Sequence, residues 1–141
     1  KKMSKSDSNE NNYISLLDPP DVLRRKIKRA VTDSAREITS ESLNRPGIGN
    51  LLSIYSVLND MQPTEVVNRF EGQQYSGFKG ELADSLVAFL EPFQQRYDKI
   101  MGDKGYLTGI LDEGSMRARH MASKTISKVY RKLGFVPAGR S

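Results

Sequence analysis

Residues 79–101 read KGELADSLVAFLEPFQQRYDKIM. Leu82, Leu86, Phe89, Leu90, Phe93, Tyr97 and Ile100 form one stripe at steps of one, three and four. That spacing places side chains along one face of an α-helix. Pro92 lies inside the stretch. A proline removes an amide donor and crowds the carbonyl four residues back, so a kink or a division into two helices is expected.

The same periodicity extends in both directions. After residue 101, Lys104-Gly105 opens a short helix around Tyr106–Leu111. A last helix is expected from about Ser115 to Leu133, with Gly134 as its C-cap. Ala118, Ala122, Ile126, Val129 and Leu133 make its core face, and Arg119 beside that face is expected in a buried ion pair. Before residue 79, Pro63 opens a helix through Phe70 that Gly72 closes. Asn44-Arg45-Pro46-Gly47 punctuates the start of a helix over 48–59, with Ile48, Leu51, Leu52, Tyr55 and Leu58 on one face. Asp18-Pro19-Pro20-Asp21 reads as another start, with Asp18 as the cap. That helix runs to about Val31, with Val22, Leu23, Ile27, Ala30 and Val31 on one side and Arg24, Arg25, Lys28 and Arg29 on the other.

No strand-period alternation extends over six residues, and there is no G-x-G-x-x-G and no internal repeat. The expected fold class is all-α, a helical bundle of five or six helices preceded by a flexible loop. Residues 1–17 form the loop and linker, 18–136 the helical domain, and 137–141 a disordered tail.

With 141 residues the chain holds one domain and a modest core. It has no Cys and a single His, which excludes disulfides, thiolate metal sites and a zinc site. No metal ligands are assigned. An intracellular, cytoplasmic location fits, and no apolar run is long enough to span a membrane. Net charge is +5, unevenly spread. Residues 1–31 carry eight Lys/Arg against four Asp/Glu, residues 32–114 seven against thirteen, and residues 115–141 seven against none. Basic ends around an acidic middle suggest a polyanionic partner for particular faces.

The chain begins KKMSKSD, so residues 2–6 read K-M-S-K-S. Lys2 and Lys5, three residues apart with small hydroxyl residues beside them, make a short cationic hook suited to a phosphate chain whose charge is moving. The stretch 1–34, KKMSKSDSNENNYISLLDPPDVLRRKIKRAVTDS, is similar to the tryptophanyl-tRNA synthetase family of class I aminoacyl-tRNA synthetases. In that family the loop is followed by Asp, an Asn-containing linker, an Ile-x-Leu-Leu-Asp segment and a basic helix ending in Thr-Asp-Ser. Arg45-Pro46-Gly47 leading into Asn50-Leu51-Leu52-x-Ile54-Tyr55, and Glu113-Gly114-x-x-Arg117-Ala118-Arg119, also resemble it. The resemblance covers nearly the whole chain.

The resemblance implies a two-step ligase. The tryptophan carboxylate attacks the α-phosphate of ATP, giving tryptophanyl-adenylate and pyrophosphate, and the adenylate then esterifies tRNA-Trp. Lys5 is the expected main pyrophosphate contact, with Lys2 supporting. Ser4 and Ser6 donate to phosphate oxygens, and Met3 packs near the nucleotide. The loop is expected to be mobile. Mg2+ would accompany the nucleotide and would not be bound by this chain. A catalytic loop at the first residues, without an initiator Met, carries the expectation of a C-terminal fragment, inactive without a Rossmann catalytic domain. The full-length parent is expected to be a homodimer. A stand-alone RNA-binding helical module and a piece of another class I synthetase are the alternatives.

Two cationic faces are candidate tRNA contacts. Arg117, His120, Lys124, Lys128 and Arg131 follow three- and four-residue steps on the last helix, with no compensating acid in the stripe. His120 is read as incidental there. Arg24, Arg25, Lys28 and Arg29 form the second face, read first as a solvated surface; pairing with the acidic middle of the chain, and contact with the tRNA backbone or a catalytic domain, are the alternatives. Tyr55, Tyr97 and Tyr106 sit at apolar-face positions, where core packing is expected over base stacking. Gly47-x-Gly49 follows a proline at a helix start and reads as a turn.

Overall fold

The computed structural model describes residues 9–136. Five α-helices occur among them, α1 (Pro20–Arg29), α2 (Ile48–Leu58), α3 (Pro63–Phe70), α4 (Tyr75–Gly102) and α5 (Lys104–Leu133). Among the described residues there is no strand, and an isolated antiparallel bridge joins Glu37 to Gln74. The all-α expectation therefore holds. The chain divides into two compact units, Lys1–Gln95 and Arg96–Ser141.

The first unit holds the core. Leu23 and Ile27 of α1, Ile48, Leu51, Leu52 and Tyr55 of α2, Val66, Val67 and Phe70 of α3, and Phe78, Leu82, Leu86 and Leu90 of α4 are all buried. At its centre Tyr55, Phe70 and Phe78 form an aromatic trio. Phe70 meets Tyr55 and Phe78 at ring-centroid distances of 5.0 Å, and Tyr55 lies 5.8 Å from Phe78. The two contacts of Phe70 are edge-on, which sets the positive ring rim against the negative face, and the Tyr55–Phe78 pair is tilted.

Ile38 enters this core from an extended connection and is fully buried. Its amide donates to the Gln73 carbonyl at 3.0 Å, its carbonyl accepts from Gly72 at 2.9 Å, and Tyr75 donates to Arg36 at 2.8 Å. Those bonds satisfy backbone groups that burial would otherwise strand. Gly47 begins α2 with φ +83°, a left-handed conformation that a side chain disfavours. A Cβ there would sit 2.5 Å from the Val31 carbonyl oxygen, and one at Gly49 would sit 2.5 Å from that of Leu43. Both glycines admit close backbone approach.

Several expected boundaries are corrected. α1 starts at Pro20 and ends at Arg29, so Val31 is exposed and not on a packed face. Asp18 is not its cap, because its carboxylate is taken by Ser15 and Lys26. α4 begins at Tyr75 and runs 28 residues, and Pro92 does not divide it. Ala88, whose carbonyl loses its donor to the proline, is exposed, so water can serve that oxygen. Beyond Leu90 the apolar stripe leaves the core, with Phe93 and Tyr97 exposed; Phe89 is exposed as well.

In the second unit, the two expected helices after residue 104 are one helix of 30 residues. Asp103 caps it by accepting from the Tyr106 amide at 2.9 Å, and Gly134 ends it with φ +73°. Gly109 and Gly114 weaken a helix by about 1 kcal/mol each but do not stop it. A Glu113–Arg117 pair, one turn apart, bridges the expected break. No residue of α5 is buried. The expected core face, Ala118, Ala122, Ile126, Val129 and Leu133, is exposed within this unit, as is Arg119, which is in no buried pair. Tyr106 is likewise exposed.

Candidate functional site

Lys2, Met3, Ser4, Lys5 and Ser6 lie outside the described residues. The Asn9 side chain accepts from the Asn11 amide at 3.1 Å and caps a short 3-10 turn, Glu10–Asn12. Residues 13–18 have no helical structure, yet Tyr13, Ile14 and Ser15 are half-buried and Ile14 packs against the core.

Lys26 is the unexpected residue here. It sits three positions after Leu23, on the buried face of α1, and is only 6% exposed. Its Nζ donates to Asp18 Oδ2 at 2.7 Å and lies 4.8 Å from the centroid of the Tyr13 ring. The same carboxylate oxygen accepts from the Ser15 amide at 3.0 Å. From α4, Gln94 Nε2 donates to the carbonyls of Leu16 at 2.9 Å and Asp18 at 3.0 Å.

The opposite face of α1 borders a cleft of about 570 Å³ against the first half of α4, lined by Arg24, Lys28, Ser76, Lys79 and Asp84 among others. Arg24 pairs with Asp84. Lys79 donates to the Ala30 carbonyl at 2.9 Å and reaches Thr32 Oγ1 at 3.4 Å. Burial pushes its ammonium below the ordinary lysine range. Arg25, Lys28 and Arg29 remain exposed.

A third polar cluster joins two segments that carried the family resemblance. Tyr75 Oη donates to Asp33 Oδ1 at 3.1 Å, and the Ala35 amide donates to the same oxygen at 2.9 Å. The Arg45 guanidinium is held more firmly protonated than usual, first by a hydrogen bond with Tyr75 and then by the nearby charges of Asp33 and Glu41. Asp33 and Ser34 share one small hollow with Arg45 and Pro46, and Tyr75 at the start of α4 holds Asp33 in place.

In the second unit, Arg117, His120, Lys124, Lys128 and Arg131 are all exposed on α5. Arg117 is paired with Glu113, so the stripe does have an acid at its N-terminal end. Lys128, Arg131 and Lys132 line a shallow depression. Arg131 Nε donates to the Ser127 carbonyl at 3.4 Å, and the exposed Lys124 and Lys128 carry their charge into solvent. Among the described residues no group of three His, Asp or Glu side chains is placed to hold a metal ion. No described helix is long and apolar enough to cross a membrane.

The chain is similar to known proteins over most of its length. The chain is 43% identical over 136 residues to Tryptophan--tRNA ligase of Clostridium acetobutylicum, covering 96% of this chain and 40% of that protein. It is 45% identical over 134 residues to Tryptophan--tRNA ligase of Bacillus subtilis, covering 95% of this chain and 40% of that protein. A crystal structure of tryptophanyl-tRNA synthetase from Mycoplasma pneumoniae superposes with a TM-score of 0.66 at 29% identity, over 96% of this chain and 41% of that one. The chain spans about 40% of the length of the curated relatives it matches. The family model for class I tRNA synthetases (W and Y) matches residues 1–91, well over half of the 141 residues, and the chain belongs to that family.

Proposed function

We propose that this chain forms part of a tryptophan--tRNA ligase, to which it contributes a pyrophosphate-binding segment and a tRNA-binding helical region. The observation that carries the reading is identity of 40–46% to proteins named Tryptophan--tRNA ligase across at least 95% of the chain. The family model spans tryptophan and tyrosine enzymes, so a tyrosine ligase is the reading to exclude.

In the first step the tryptophan carboxylate attacks the α-phosphorus of ATP, and the bond to the bridging oxygen breaks. Negative charge grows on the departing pyrophosphate. Lys5, supported by Lys2, accelerates that step only by binding the grown charge more strongly than the charge of bound ATP. Ser4 and Ser6 add hydrogen bonds to phosphate oxygens, and Met3 packs beside the nucleotide. Mg2+ arrives with ATP. In the second step the adenylate passes its acyl group to the 3′ end of tRNA-Trp. The full-length protein acts in the cytoplasm as a homodimer.

Lys124, Lys128 and Arg131 bind tRNA phosphates in this reading. Gel shifts of this chain with tRNA-Trp and an unrelated tRNA, across a salt series, test it. The expected result is tighter binding of tRNA-Trp. Changing the three residues to Ala flattens the dependence of log affinity on log salt by about 1 for each phosphate no longer neutralised. Equal affinity for both tRNAs, with the same slope after substitution, contradicts the assignment.

A further inference from the structure

The segment Tyr13–Asp18 is an irregular stretch held like a core element. Gln94 donates from one amide nitrogen to two carbonyls, Leu16 at 2.9 Å and Asp18 at 3.0 Å, and so pins both sides of a turn. Lys26 pins the same turn from below through Asp18 Oδ2 at 2.7 Å, which also accepts from the Ser15 amide at 3.0 Å. The Lys26 side chain is 5% exposed and that of Asp18 is 16% exposed. Removing this ion pair from water is costly, and an apolar pair of the same volume would stabilise a fold as well or better. A buried, directional pair instead imposes one geometry, whereas apolar contacts tolerate several. The Lys26 ammonium over the Tyr13 ring extends that control to the upstream end of the segment.

What this segment continues into is the lysine motif. Asn9 begins the capped turn that leads into Tyr13. Lys5 lies four residues before Asn9, a chain span of at most about 14 Å. We propose that Lys26 and Gln94 are positioning residues for the K-M-S-K-S lysines. By fixing Leu16 and Asp18 they set the downstream anchor from which Lys5 reaches the phosphates of the nucleotide. This rests on the reading of residues 2–6 as the pyrophosphate-binding segment.

The test uses the full-length ligase with Lys26→Met, Gln94→Leu and, as conservative rescue, Lys26→Arg. Leu52→Ala is the comparison, since it truncates a core residue of α2 that belongs to none of the hydrogen bonds holding residues 15–18. Two quantities are read, hydrogen exchange at residues 13–18 and single-turnover formation of tryptophanyl-adenylate at saturating substrates. The first two variants should lose protection at 13–18 and slow adenylate formation about tenfold, as a small misplacement of a reacting group does, with tryptophan KM unchanged. Lys26→Arg should recover part of both, and folded Leu52→Ala should keep the wild-type rate. Reduced protection with an unchanged rate overturns the proposal, as does intact protection in both variants or an equal slowing by Leu52→Ala. A wild-type enzyme that forms no tryptophanyl-adenylate, yet protects residues 13–18, overturns instead the reading of residues 2–6 on which the role depends.

Discussion

Phe78→Ala lowers the stability of the first unit by about 3–5 kcal/mol, the range for truncating a fully buried aromatic. Phe78 is 0% exposed and touches both other rings of the aromatic trio, at 5.0 Å from Phe70 and 5.8 Å from Tyr55. Its removal leaves a cavity between α2, α3 and α4 that those helices cannot close without moving. It also takes away two aromatic contacts worth about 0.5–1.5 kcal/mol each beyond burial. Against a total stability of about 5–15 kcal/mol, much of the folded population is at risk. Phe89, on the same helix but 59% exposed, supplies the contrast. Phe89→Ala should change stability by no more than about 0.5 kcal/mol. Urea unfolding followed by circular dichroism measures both, and similar midpoints for the two variants would place the core elsewhere.

Lys5→Ala in the full-length enzyme slows adenylate formation by about 100- to 1,000-fold, on the order of 3 kcal/mol, the scale for one positioned group facing developing charge. The proposed contact strengthens as charge moves to pyrophosphate, so the effect falls on the rate and not on tryptophan binding. Lys2→Ala, the supporting contact, should cost less. Pre-steady-state quench measurements separate these effects, and an unchanged rate of adenylate formation in Lys5→Ala refutes the role.

Much of the fold is legible in the residues. The helical class follows from the stripe beginning at Leu82, and the family from residues 2–6 together with Thr32-Asp33-Ser34 and Arg45-Pro46-Gly47. Periodicity fails where it has to name a partner. Ile126, Val129 and Leu133 keep helical spacing, which tells which face is apolar but not what covers it, and in their own unit they are exposed. Gly114 and Pro92 look like stops, but a local penalty of a few kcal/mol yields to the hydrogen bonds on either side.

Residue type misleads at Asp18 and Lys26. An Asp before two prolines suggests a cap, yet its carboxylate serves Lys26, eight residues on, at 2.7 Å. Lys26 escapes notice because it is charged. Its place three residues after Leu23 and four before Ala30 is the signal that it points inward. The Asp33–Tyr75 bond at 3.1 Å joins residues 42 apart, and no local pattern announces it.

Amino-acid-dependent ATP–pyrophosphate exchange by the full-length protein, run in parallel with tryptophan and tyrosine, decides the assignment as a tryptophan ligase. Exchange is expected with tryptophan, none with tyrosine above background, and the tryptophan signal should vanish in Lys5→Ala. Exchange supported by tyrosine in place of tryptophan, or by neither amino acid, would overturn the assignment.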